Sequence, residues 1–139
     1  MMNRQDISEA DWRERPLRIW QQNCRKSDMN QFHVINQLDP KRFDICFIQE
    51  PHIDFLGNTK VPNSWTAIYP PTHYKKDGGC TRSITLVSPY LSSSNWMDLR
   101  IDLPDVTAIQ IWGKFGTIRF FNIYNDCNHS KSIDTLKKW

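Results

Sequence analysis

Residues 17–51 have the sequence LRIWQQNCRKSDMNQFHVINQLDPKRFDICFIQEP. The beginning of this stretch, residues 17–23, predicts a β-strand. Its end contains Phe43 to Ile48, a short and mostly apolar run that is typical of a strand buried on both faces. With a helix between them, the two strands form a βαβ unit, in which the strands are parallel and the crossover is right-handed.

The middle of this stretch predicts that helix. Ser27 or Asp28 supplies a side chain that can cap its first turn. Apolar side chains then recur at helical spacing, at Phe32, Ile35 and Leu38. Pro40 prevents the helix from continuing.

The second half of the chain has a different pattern. Four short runs rich in β-branched and aromatic residues predict strands: Trp65–Tyr69, Ser83–Val87, Val106–Trp112 and Thr117–Tyr124. Residues 113–116 suggest a hairpin turn, and residues 130–139 begin like a helix. The expected fold class is mixed α/β, with residues 1–15 as a polar tail and residues 16–139 as one domain.

The amino-acid composition excludes some classes of protein but does not identify a function. The chain has 139 residues, enough for one domain, and 39% hydrophobic with 24% charged residues excludes a disordered or low-complexity protein. Its 18 Lys and Arg against 15 Asp and Glu give a net charge of +3. This charge is too small to indicate nucleic-acid binding by itself, so such a function must depend on a specific site.

The cysteines and the hydropathy pattern predict the compartment. Cys24, Cys46, Cys80 and Cys127 do not have the spacing of zinc ligands and are expected to be free thiols. The first 15 residues do not resemble a secretory leader, and no apolar run approaches the roughly 20 residues of a membrane span. We therefore expect an intracellular protein, nuclear or cytoplasmic, and no membrane association.

Two polar residues follow the strands of the βαβ unit. Because parallel strands end at the same edge of a sheet, Asn23 and Glu50 are expected to lie close together. Glu50 can hold a hard cation such as Mg²⁺, and Asn23 can orient that carboxylate or donate to a phosphate oxygen. The alternative is that both are ordinary polar residues at strand exits.

For other residues near this edge, the sequence pattern gives a weaker indication of function. Tyr124 ends the last strand, so its phenol can donate to a phosphate, or the ring can simply cover the edge of the core. Arg25 and Lys26 directly follow Asn23 and can contact a nucleic-acid backbone. His52, two residues beyond Glu50, either has a role at this edge or is an exposed loop residue.

Three motifs resemble the endonuclease/exonuclease/phosphatase superfamily of metal-dependent phosphodiesterases. They are Ile19–Cys24 with the family's active-site Asn, Asp44–Pro51 with its metal-binding Glu, and Asn122–Tyr124 with its N-x-Y strand. Within this superfamily, the sequences of these motifs most resemble those in the endonuclease domains of fungal non-LTR retrotransposons. The resemblance implies a two-sheet β-sandwich flanked by helices, catalytic Asn23, Glu50 and Tyr124, Glu50 as ligand of Mg²⁺ or Mn²⁺, and DNA as partner.

The resemblance covers only the N-terminal half of the family's domain. The family's later G-D-x-N and S-D-H motifs do not occur in these 139 residues, and Asp126-Cys127-Asn128 lies in a turn that does not match the G-D-x-N strand. The expected function is therefore a Mg²⁺-dependent DNA endonuclease that is truncated and weak or inactive alone. The alternatives are a non-catalytic fragment that binds nucleic acid weakly and a relative acting on phospholipids or inositol phosphates. An open sheet edge also predicts self-association.

Overall fold

The computed structural model describes residues 16–139, so the predicted polar tail, residues 1–15, lies outside the described residues. The strands along this part of the chain are β1 (Ile19–Asn23), β2 (Ile45–Gln49), β3 (Thr66–Ile68), β4 (Ser83–Val87), β5 (Trp96–Asp98), β6 (Val106–Gly113) and β7 (Gly116–Ile123). The α-helices are α1 (Asp28–Gln37) and α2 (Lys131–Leu136), and short 3-10 helices cover Pro71–Tyr74 and Ser93–Asn95. None of the helices in residues 16–139 has the length and apolar composition that crossing a bilayer requires.

The predicted βαβ unit is present. Strands β1 and β2 are parallel, and Asn23 lies opposite Gln49 at their carboxyl ends. Ser27 is the cap of α1, because its side-chain oxygen accepts a hydrogen bond from the backbone N–H of Asn30 at 3.2 Å. The helix ends before Pro40, as the sequence predicts. This geometry brings the ends of both strands to one edge of the sheet.

The buried face of α1 differs from the prediction. Phe32 is 55% exposed, and Ile35 is only partly buried. Leu38 is buried just beyond the last turn, as predicted, but the side chains of α1 itself that face the core are Gln31 and Val34. The predicted apolar stripe is therefore rotated by about one residue from the observed one.

Hydrogen bonds to one loop explain why a glutamine takes a core position. The Gln31 amide donates to the hydroxyl of Thr59 and to the carbonyl oxygen of Lys60, the latter at 2.8 Å. Its side-chain oxygen accepts from the backbone N–H of His52 at 2.7 Å. With these partners, burial of the polar side chain leaves no hydrogen bond unmade.

The strands form two sheets. Sheet A has the order β1-β2-β4-β3, and β4 is antiparallel to both of its neighbours. Sheet B is antiparallel with the order β5-β6-β7, and β6 and β7 are joined by a tight hairpin. The four strands predicted in the second half correspond to β3, β4, β6 and β7. Strand β5 was not predicted, because three residues are too short for a recognisable period.

The two sheets and two helices pack in four layers. Helix α1 contributes Val34 to one cluster on the outer face of sheet A, with Cys46, Ile48, Ile84 and Leu86. Helix α2 covers the outer face of sheet B, where Leu136 packs against the cluster of Ile101, Val106 and Ala108. The prediction of a two-sheet sandwich flanked by helices is confirmed.

The space between the sheets is apolar at one end and polar at the other. The apolar end contains Ile45, Val87, Ile109 and Ile111. The polar end contains five buried side chains that we call the inter-sheet polar row: Gln49, Ser83, Thr85, Thr107 and Asn122. The hydroxyl of Thr107 contacts those of Ser83 and Thr85, both at 2.8 Å. This polar end lies beneath the edge at which β1 and β2 finish.

Candidate functional site

Asn23 and Glu50 meet at the end of sheet A. The Asn23 side-chain Nδ2 donates to Glu50 Oε1 at 3.1 Å, and Asn23 Oδ1 accepts from the backbone N–H of Arg25 at 2.8 Å. The Asn23 amide therefore has both ends occupied and is held against the carboxylate. The structure thus brings together the two residues that the strand ends predict to be close, while their catalytic roles remain predictions.

The backbone at this edge is unusual. Arg25, Lys26 and Glu50 have φ of 51°, 59° and 49°, and they are three of the five described non-glycine residues with positive φ. Such a conformation is costly for residues with a side chain and is most common where the surrounding structure enforces it for function. Here hydrogen bonds enforce it: the Lys26 N–H donates to the Glu50 carbonyl at 2.8 Å, and the Glu50 N–H donates to the Arg82 carbonyl at 2.9 Å.

A cleft of about 520 Å³ opens beside this pair, between the ends of the two sheets. Asn23 from sheet A and Tyr124, the residue after β7, both line it. The remaining lining residues are Gln21, Phe47, Gln49, Phe121, Asn122, Ile123 and Asn125. Glu50 is not among the lining residues and reaches the cleft only through its hydrogen bond to Asn23.

A second and smaller cleft, of about 390 Å³, lies on the other side of Asn23. Its walls are Gln21, Gln22, Asn23, Arg25 and Asn30. Arg25 therefore borders a groove that begins at the candidate site. Lys26 is exposed but lines neither cleft.

Amide side chains form the base of the larger cleft. Gln21 donates to the side-chain oxygen of Gln49, and Gln49 donates in turn to that of Asn122. Asn122 Nδ2 then donates to the carbonyl oxygens of Ile48 at 3.1 Å and Ile84 at 2.7 Å. This chain of hydrogen bonds connects β1, β2, β4 and β7, so it joins the two sheets beneath the cleft.

A charged network lies next to Tyr124 and was not predicted. Arg82, just before β4, places Nη1 2.7 Å from Asp126 Oδ2 and Nε 3.0 Å from Asp105 Oδ1. His129 Nε2 lies 3.5 Å from an oxygen of each carboxylate. The Arg82 guanidinium also lies over the Tyr124 ring, with Cζ 5.0 Å from the ring centroid. Three separate segments of the chain converge at this network.

The ionisation behaviour of the network follows from burial and pairing. Burial raises the pKa of Asp105, whose side chain is 3% exposed, and this effect outweighs the opposing charge of Arg82. The hydrogen bond from the backbone N–H of Asn128 and the contact with Arg82 hold the pKa of Asp126 below its usual value. Burial acts to lower the pKa of Arg82, but the neighbouring Asp105, Tyr124 and Asp126 together raise it.

Glu50 and one cluster of side chains in residues 16–139 can be compared as ligands for a divalent cation. Glu50 offers a single, partly exposed carboxylate, which is hydrogen-bonded to Asn23 beside the larger cleft. Asp105, Asp126 and His129 also place one ligand atom each within 4.8 Å of one another. In that group, however, the Arg82 guanidinium already lies against both carboxylates. Glu50 is therefore the better candidate for a metal ligand.

Sequence reasoning could have found part of this network. Arg82 and Asp105 are charged residues that directly precede the buried strands β4 and β6, a position that calls for a partner. Asp126 comes two residues after Tyr124, but its partners cannot be identified from spacing alone. His52 contacts α1, with Nδ1 3.8 Å from Asp28 Oδ1, and a role for it stays a prediction.

The comparisons with known proteins support the fold. No protein-family model matches the chain, and no curated protein does. Among solved structures, the chain is similar to one described as "Endonuclease domain of TRAS1, a telomere-specific non-LTR retrotransposon", with a TM-score of 0.65 and 13% sequence identity. The similarity covers 88% of this chain and 52% of that one. The chain thus has an endonuclease-like fold and spans about half the length of the structure it matches.

Proposed function

We propose that this chain carries the Glu50 half of a metal-dependent endonuclease site that acts on DNA phosphodiesters. The observation that carries the proposal is the hydrogen bond between Asn23 and Glu50, at 3.1 Å, beside a cleft that Tyr124 also lines. The similarity of the fold to a retrotransposon endonuclease domain supports the same reaction class. Asn23, Glu50 and Tyr124 are the proposed catalytic residues.

Glu50 fits the requirements of Mg²⁺ or Mn²⁺. Its Oε1 is engaged by Asn23, and no described residue donates a hydrogen bond to Oε2. Mg²⁺ often takes only one or two protein carboxylates and completes its shell with water and phosphate oxygens. When bound, the ion would supply Lewis-acid stabilisation of charge at the phosphate.

The remaining groups have separate tasks. Asn23 holds the Glu50 carboxylate in one orientation, because its own amide is fixed by the Arg25 N–H. The Tyr124 phenol donates a hydrogen bond to a phosphate oxygen in the larger cleft. Arg25 and Lys26 contact the flanking phosphates, which position the DNA without selecting its sequence.

An alternative is a non-catalytic fragment that binds nucleic acid weakly. The 139 residues match 52% of the endonuclease structure and do not contain the G-D-x-N and S-D-H motifs, so the functions of those motifs would have to come from outside these residues. Cleavage needs an oriented water and stabilisation of the leaving group in addition to the metal. Glu50 and Asn23 alone do not supply these functions.

The proposal extends to partners and location. In sheet B, β7 is an edge strand, and its first four residues, Gly116 to Arg119, are exposed. Pairing of this edge with a second copy would give the self-association that the sequence predicts. Activity on DNA would be exercised inside the cell, in the nucleus or the cytoplasm.

Nicking of supercoiled plasmid tests the proposal. The chain is incubated with Mg²⁺ or with EDTA, beside Glu50→Gln and beside Asp77→Asn, which neutralises an exposed carboxylate far along the chain. We expect weak nicking that EDTA abolishes, that Glu50→Gln reduces to the background and that Asp77→Asn leaves unchanged. Sedimentation of the same samples reports self-association.

The two candidate functions give different results in this assay. Folded protein that retards DNA but does not nick it above the Glu50→Gln background would favour the non-catalytic fragment. Nicking that Glu50→Gln retains would refute the assignment of Glu50.

A further inference from the structure

Arg82 contacts two of the proposed catalytic residues, Glu50 and Tyr124, which lie on different sheets of the fold. Its backbone carbonyl accepts the N–H of Glu50 at 2.9 Å, at the end of β2. Its guanidinium lies over the ring of Tyr124, with Cζ 5.0 Å from the centroid. One residue thus connects Glu50, on sheet A, with Tyr124, at the end of sheet B.

The guanidinium is paired with two acidic side chains. Asp105 and Asp126 flank it at 3.0 Å and 2.7 Å, and both carboxylates are almost completely buried. The backbone N–H of Arg82 also donates to the Pro104 carbonyl at 2.8 Å. Nη1 donates a hydrogen bond to Asp126, whereas the contact of Nε with Asp105 is an ion pair without a hydrogen bond. Paired with both carboxylates, the planar guanidinium presents one face to Tyr124, which a lysine ammonium cannot do.

Tyr124 is held by the same group of residues. Its backbone N–H donates to the Asp105 carbonyl at 2.8 Å, while its ring packs against the Arg82 guanidinium. Cation–π contacts of this kind favour one placement of the ring over others. The main chain and the side chain of Tyr124 are therefore anchored to one ion-pair network.

We propose that Arg82 is a positioning residue for Tyr124. Anchored by Asp105 and Asp126, it keeps the phenol directed into the cleft at a constant distance from Glu50. This inference rests on the proposed function, because it concerns the placement of the phenol relative to the phosphate. Arg82 does not touch the DNA in this assignment and acts only through Tyr124.

A purely structural role makes a different prediction. If Arg82 only joined three chain segments, its loss would weaken the fold and affect all site residues alike. If it acts through the phenol, its loss should matter much less once the hydroxyl of Tyr124 has been removed. A double-mutant cycle separates these cases.

The cycle uses single-turnover plasmid nicking by the full chain with Mg²⁺. Its members are the unsubstituted chain, Arg82→Gln, Tyr124→Phe and the double variant. Arg119→Gln is the matched control, because Arg119 lies over Trp139 with Cζ 5.5 Å from that ring and bonds Gln110, away from the cleft. We expect Arg82→Gln to slow nicking by about tenfold with Tyr124 present and by less than about threefold in the Tyr124→Phe background.

The binding of uncleaved DNA in Ca²⁺ provides the accompanying control, since Arg82→Gln should change its Kd by less than about twofold. Arg82→Lys should recover only part of the rate, because it restores the charge without the fixed planar face. It also serves as the test variant if Arg82→Gln does not fold. Equal slowing with and without the hydroxyl of Tyr124 overturns the proposal.

A readout that does not need activity completes the test. The chain has four tyrosines, and 3-fluorotyrosine labelling gives each a ¹⁹F resonance. We expect Arg82→Gln to shift the Tyr124 resonance alone and Arg119→Gln to leave it in place. If the chain does not nick DNA, the proposed function fails but this experiment still decides the positioning role. An unmoved Tyr124 resonance, or equal shifts of all four, overturns it.

Discussion

Replacement of Asn122 by alanine should be among the most destabilising single changes in the described part of the chain. The Asn122 side chain is 2% exposed and makes three hydrogen bonds. It donates to the carbonyls of Ile48 and Ile84 and accepts from the amide of Gln49, so it ties β7 to β2 and β4. Asn122→Ala removes all three bonds at once.

The magnitude follows from these bonds. Each contributes about 1 kcal/mol net, and the buried Gln49 amide is left without an acceptor, at a further cost of about 1–2 kcal/mol. We therefore expect a loss of about 4 kcal/mol from a free energy of unfolding that is typically 5–15 kcal/mol for a domain. In urea this corresponds to a midpoint lower by about 2 M.

The assay is equilibrium unfolding in urea, followed by tryptophan fluorescence. Asn125→Ala is the matched control, because Asn125 lies three residues further along the chain and is exposed. It should change the free energy of unfolding by less than about 0.5 kcal/mol. Thr107→Val, which removes the hydroxyl contacts to Ser83 and Thr85, provides a milder second test of the inter-sheet polar row. A loss under about 1 kcal/mol for Asn122→Ala would refute the reasoning.

Two further predictions concern the loops and the thiols. In Gly78→Ala a Cβ would lie 1.8 Å from the Thr72 carbonyl oxygen, so we expect a loss of about 3 kcal/mol in thermal unfolding. Gly57→Ala, with φ of +82° and no atom within 4 Å, should lose only about 1 kcal/mol, and equal losses would contradict the packing argument. Burial raises the pKa of the Cys24 thiol to about 11 and raises that of Cys46 as well, whereas Cys80 and Cys127 are exposed. Iodoacetamide at pH 8 should therefore modify Cys80 and Cys127 in the native protein, and Cys24 and Cys46 only after unfolding. Peptide mass mapping would identify the modified residues. Rapid labelling of Cys24 in the native protein would disprove its burial.

The strand pattern was predictable because it depends on local composition. Ser83–Val87 is buried along its whole length, and its apolar and β-branched residues mark it without any knowledge of its neighbours. The contact of Asn23 with Glu50 was also accessible, since it follows from the rule that parallel strands end together. Both inferences need only short-range information and one topological rule.

The rest depends on contacts between distant segments. Periodicity placed Phe32 in the core, but the hydrogen bonds with Thr59, Lys60 and His52 take Gln31 there instead. No pattern in α1 records what a loop more than 20 residues away will offer. Polar residues with distant partners are therefore the positions at which sequence periodicity fails here.

The same limit applies to the candidate site. Arg82, Asp105 and Asp126 come from three loops and have no regular spacing, so only the folded chain shows that they form one network around Tyr124. A charged residue directly before a buried strand predicts that a partner exists without identifying it. The identity of the partner depends on how the two sheets are stacked.

The inter-sheet polar row also has a consequence for the uniqueness of the fold. Two apolar sheet faces could slide past each other by two residues and still bury the same kinds of side chain. The hydroxyls of Ser83 and Thr107 and the amides of Gln49 and Asn122 would then lose their partners, since each finds its partner in only one alignment. Among the stackings that burial alone would accept, the polar row selects one, and that selection sets where Tyr124 lies relative to Glu50.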